Sequence, residues 1–85
     1  MPAVEYTQHE CKTDDNGWFL LITIVGLKAD ECAAHLFEVL SGESLDVISD
    51  NRAQVVFRPS PETSSLRALE AAAFNAAARW SAANA

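Results

Sequence analysis

Residues 18–25 read Trp-Phe-Leu-Leu-Ile-Thr-Ile-Val, and this run leaves the chain few ways to fold. A strand with one wet face alternates apolar and polar side chains. Here Phe19, Leu21 and Val25 share one side with Thr23, and Trp18, Leu20, Ile22 and Ile24 share the other. Both faces are apolar, so both call for cover. A chain of 85 residues is a single domain spanning residues 1–85 and has few elements with which to provide it. Its helices can cover one face, which leaves the second as a contact surface. The expected arrangement has Phe19, Leu21 and Val25 facing inward, with Trp18, Leu20 and Ile22 meeting a partner.

The elements around this strand follow from local signals. Val4–Lys12 reads as a more polar strand. The Asn16-Gly17 dipeptide supplies the positive φ angles of a tight hairpin between the two. After Gly26 the period changes. Ala29, Cys32, Ala33, Leu36, Phe37 and Leu40 fall on one helical face, and Asp30, Glu31, Ala34, Glu38 and Ser41 on the other. Asp30 and Glu31 occupy the first turn, where the helix dipole favours anions, and Gly42 is a natural stop. Leu45–Ser49 and Ala53–Arg58 form a second hairpin around Asp50-Asn51, with Ala53, Val55 and Phe57 on one face. Ser60 and Pro61 then suit the cap and first position of a helix that runs to about Ala83. Its apolar stripe is Leu66, Leu69, Ala73, Ala76, Ala77 and Trp80. The order is ββαββα. The compact solution is an α+β fold, a four-stranded, mainly antiparallel sheet with two helices on one face.

Charge narrows the partners. Six Lys and Arg stand against twelve Asp and Glu, for a net charge of −6. Direct binding to nucleic acid or to an anionic membrane needs a basic footprint that this chain lacks. An acidic protein can instead dock on a basic surface, including one where nucleic acid would otherwise sit. The first twelve residues have no apolar core of a signal peptide, and the longest apolar run is too short to span a bilayer. With two cysteines, this points to free thiols in the cytoplasm.

Chemical constellations are sparse. His9-x-Cys11 and Cys32-x-x-His35 together contain the two Cys and two His of a common zinc set, but their spacing matches neither a Cys knuckle nor a His-bearing helix. Cys32 belongs to the apolar stripe, which favours a buried structural thiol. Glu10 beside Cys11 opposes thiolate formation. Asp14, Asp15 and Asp50 sit where turns call for Asp. No metal or cofactor is expected. Phe74 stands off the apolar stripe of the last helix near Arg67, an arrangement suited to an interface hot spot.

The sequence therefore points to a non-catalytic protein-binding module. One concrete form is an inhibitor of the anti-CRISPR type, encoded by a phage or mobile element, that blocks a host nucleic-acid-binding protein surface. Its contact residues would be Trp18, Leu20, Ile22, Asp30, Glu31, Glu38, Arg67 and Phe74. The alternatives are a homodimer holding a small ligand between two sheets and, last, a small metal- or thiol-dependent enzyme.

Overall fold

A computed structural model describes residues 3–61 and 64–84. Its elements are β1 (Tyr6–Asp14), β2 (Gly17–Val25), α1 (Ala29–Val39), β3 (Ser44–Ser49), β4 (Arg52–Phe57) and α2 (Leu66–Ala83). They form one antiparallel sheet of order β1-β2-β4-β3, so the ββαββα α+β reading holds. The strands with buried residues, β2 and β4, take the centre, and β1 and β3, neither of which has a fully buried residue, take the edges.

Directly opposed residues of an antiparallel pair share a face. Leu20, Ile22 and Ile24 pair with Phe57, Val55 and Ala53, and all six are buried against the helices. Ala29, Cys32, Ala33 and Leu36 of α1 close over them, and Leu69, Ala73, Ala76 and Ala77 of α2 complete the core. The sidedness expected for β2 is therefore reversed. Leu20 is 0% exposed and Ile22 5%. Trp18 is half-buried and packs against the same core. Leu20 and Ile22 are therefore not free to meet a partner. The physical reason lies in β4. Its buried set, Ala53, Val55 and Phe57, fixes the helix side of the sheet, and the register matches that set to the even-numbered residues of β2.

The outer face, opposite the layer that packs on α1 and α2, carries Phe19, Leu21, Thr23 and Val25, each half-buried. Long polar side chains from the flanking strands supply part of the cover, as amphipathic stems do. The Arg58 guanidinium sits 5.2 Å from the centre of the Phe19 ring, and the Gln54 amide donates to the Thr23 hydroxyl at 3.2 Å.

Three local expectations are refined. In the first hairpin only Gly17 has a positive φ, 111°. Asp15 and Asn16 form the turn, and the Asn16 N–H donates to the Asp14 carboxylate at 2.9 Å. At the end of α1 the left-handed position falls on Ser41, φ 53°, rather than on Gly42. The Gly42 N–H donates to the Phe37 carbonyl at 2.8 Å, the six-to-one bond of a Schellman ending. Gly42 is required for space, since a Cβ there would lie 2.8 Å from Cδ2 of Phe37. Finally, α2 begins at Leu66, not at Ser60-Pro61. Ser65 is the N-cap, and its side chain accepts from the Ala68 N–H at 3.1 Å. Ser60, Pro61 and Ser64 are outside the helix, while positions 62 and 63 of the longer expected helix lie outside the described residues. Ser65 out-competes Ser60 because the apolar period starts directly after it, at Leu66 and Leu69.

Two outcomes follow. Leu20→Glu buries an unpaired carboxylate and should cost about 4 kcal/mol or more, enough to unfold a domain of this size, whereas Leu21→Glu should stay folded. Urea titration followed by circular dichroism separates them, and the opposite ranking would reverse the sidedness. Ser41→Gly should raise stability by roughly 0.5–1 kcal/mol by relieving a left-handed non-glycine residue. A loss of stability at that position would contradict the assigned helix ending.

Candidate functional site

Three clusters of chemistry-bearing side chains emerge from this frame. The first lies where α2 runs beside the edge strand β1. Hairpin register places Thr7 opposite Ile24, His9 opposite Ile22 and Cys11 opposite Leu20, so these β1 residues face the helix side. The Arg67, Glu70, Ala71, Phe74 and Ala78 positions of α2 recur at helical spacing along the flank turned to β1. Between them runs a groove with two hollows of about 450 and 180 Å³. Ile22 lies on the wall of the larger hollow, and Phe74 lines both. Phe74 is 67% exposed, the most exposed large apolar side chain among the described residues. The structure thus brings Arg67 and Phe74 together with His9. It also adds a residue that sequence reasoning missed: Oε2 of Glu70 lies 2.5 Å from Nδ1 of His9, within ion-pair reach when the imidazole is protonated. The signal was present in the spacing, since Glu70 sits three residues after Arg67 and four before Phe74 on one helical flank.

The second cluster is on the outer face near the first hairpin. Arg58 donates to both carboxylate oxygens of Asp14 and, through Nε, to Glu43. It thereby joins the hairpin turn to the segment entering β3. Its hydrogen bonds to Asp14, with further help from Glu43, hold the guanidinium charged well above its ordinary range. The Arg58 hydrogen bonds, and then the Asn16 N–H, hold the Asp14 carboxyl below the usual carboxylate value. This cluster was not legible in the sequence, because no hairpin signal reveals that β4 lies next to β2.

The third is the acidic side of α1. Asp30, Glu31 and Glu38 are exposed, and the helix carries no Lys or Arg. His35 is half-buried on the same helix. The Cys and His residues considered for zinc are dispersed. Cys11 is exposed on β1, whereas Cys32 is buried in α1, and both thiols are free. Burial pushes the Cys32 thiol up to about 11, which suits packing and not nucleophilic attack. Among the described residues no group of three or more His, Cys, Asp and Glu side chains comes together to hold a metal ion. Nor, among them, is any helix long and apolar enough to cross a membrane. No protein-family model matches the chain, and neither a curated protein nor a solved structure matches it.

The Asp14–Arg58 contact carries a pH dependence of known sign. A carboxyl held below its unfolded value stabilises the fold at pH above that value, about 3.9, and the contribution disappears as pH falls through the folded value. Asp14→Asn should therefore lower the denaturation midpoint at pH 7 and flatten the decline of stability on the acid side. Equal acid-limb slopes for wild type and variant would show that the ion pair is not linked to folding.

Proposed function

We propose that this chain is a non-catalytic protein-binding module that acts in the cytoplasm by occupying a basic surface of a partner. In its most concrete form it is an inhibitor of the anti-CRISPR type that blocks a nucleic-acid-binding protein. The observation that carries the reading is the acidic side of α1. Asp30, Glu31 and Glu38 are exposed together on a helix without Lys or Arg, in a chain of net charge −6. Such a surface repels nucleic acid and is complementary to the proteins that bind it. The two free thiols agree with a reducing compartment.

Exposed charges of this kind act mainly on encounter. Their attraction is screened over about 10 Å at 0.1 M salt, so they steer association more than they hold the complex. The reading is tested by immobilising the chain, capturing partners from its native host, and repeating the capture with the Glu31→Lys/Glu38→Lys double variant. A nucleic-acid-binding protein retained by wild type and lost with the variant supports it. With that partner purified, salt and the two reversals should each lower the on-rate by roughly tenfold or more, and added nucleic acid should compete. Capture that withstands high salt, the two reversals and competing nucleic acid would assign the acidity to solubility alone.

A further inference from the structure

The sheet has an edge that its own elements leave unpaired. β1 is nine residues long and, among the described residues, pairs as a strand only with β2. Which of its backbone groups are free follows from the register. The Gly26 N–H donates to the Asn51 carbonyl, so the even-numbered residues of β2 turn their N–H and C=O groups toward β4, and the odd-numbered ones turn toward β1. The partners of those odd residues in β1 are Tyr6, Gln8, Glu10, Lys12 and Asp14. The alternate set, Thr7, His9, Cys11 and Thr13, therefore presents its N–H and C=O groups outward, as a template for another strand.

We propose that this edge is the seam of a homodimer. Two copies of β1 pair antiparallel about a two-fold axis at Cys11, so that two four-stranded sheets join into one of eight strands.

Charge selects the second copy and the register. With Cys11 opposite Cys11 of the second copy, Glu10 faces Lys12 of the other chain and Lys12 faces its Glu10. Both pairs are of the non-hydrogen-bonded kind, in which side chains approach most closely. Within one chain Glu10 and Lys12 already lie 3.9 Å apart, so the seam closes a four-charge cluster of alternating sign. Neighbouring registers do worse. An axis at Glu10 or Lys12 sets like charges face to face. One at His9 leaves Glu10 opposite Gln8 and Lys12 opposite Tyr6. One at Thr13 retains only the end of the strand.

A second observation lies along the same edge. An axis perpendicular to the sheet keeps both copies of α2 on one side of the joined sheet. The groove flank of each α2, with exposed Phe74 between Ala71 and Ala78, then turns toward its counterpart. The small side chains permit close approach, and the exposed phenyl ring gains cover. The pairing goes beyond the proposed function: it uses β1 and α2, not the acidic side of α1.

Sedimentation equilibrium at about 0.15 M salt, where net repulsion is screened beyond about 8 Å, tests it. Wild type should show a monomer–dimer equilibrium. Glu10→Lys and Lys12→Glu should each weaken the dimer roughly tenfold or more, and the double exchange Glu10→Lys/Lys12→Glu should restore it. Cys11→Pro removes an outward N–H without touching the β1–β2 ladder, so it should give a folded monomer by circular dichroism. If Cys11→Pro does not fold, the charge exchange alone decides. A wild type that stays monomeric at the highest soluble concentration overturns the proposal. So does a dimer that ignores the charge exchange, as one formed through the outer sheet face would. The Glu31→Lys/Glu38→Lys variant should dimerise like wild type, which separates failure of this proposal from failure of the partner-binding one.

Discussion

Two helices can cover one face of a four-stranded sheet, and the match between β2 and β4 decides which face that is. Leu20, Ile22 and Ile24 stand opposite Phe57, Val55 and Ala53, and together they present one continuous apolar layer to α1 and α2. Slipping that register by one residue would turn the whole layer to the outside. The positions of the other functional groups are consequences. His9 and Cys11 come to the helix side because the hairpin ties them to Ile22 and Leu20. Arg58 comes to the outer side because it follows Phe57, and there it covers Phe19 and gathers Asp14 and Glu43.

This division of labour also accounts for the two apolar faces of β2. The inner face is closed by apolar packing against the two helices. The outer face is half-covered by the stems of polar side chains, which keep their heads in water while shielding carbon beneath them. Outer-face residues such as Phe19 and Leu21 are consequently less available than their composition suggests. The most exposed apolar ring, Phe74, lies at a different place, beside the unpaired strand edge.

Local signals in the chain were enough for most of the fold. The helical period from Ala29 to Leu40, the polar β1 set against the apolar β2, and the two Asp-Asn turns specify six elements in their observed order. Ala53, Val55 and Phe57 were legible as one face of β4, because Gln54 and Arg58 lie beside Val56 on the other. β2 was not, since a strand apolar on both sides carries no internal mark of its inward face. That information resides in β4, through a pairing that no local signal announces. The same gap hid the Arg58 cluster, whose members come from both hairpins and the segment leading into β3. The start of α2 was misplaced for a different reason: Ser60-Pro61 and Ser65 are both good caps, and only the apolar residues that follow Ser65 distinguish them. At the candidate groove, Arg67 and Phe74 were legible from their place off the apolar stripe. His9 and Glu70 were not, because their meeting joins the first strand to the last helix.

The order β1-β2-β4-β3 has a bearing on how the chain reaches its structure. Each hairpin closes through a two-residue turn, so β1–β2 and β3–β4 zip from contacts near in sequence at little cost in loop entropy. The sheet then needs a single long-range registration, the seam between β2 and β4. Because Leu20 to Ile24 and Ala53 to Phe57 supply both that seam and the layer beneath the helices, aligning the two hairpins and collapsing the core are one event. A topology that concentrates its non-local ordering in one such step allows rapid, cooperative folding for a sheet protein of this size.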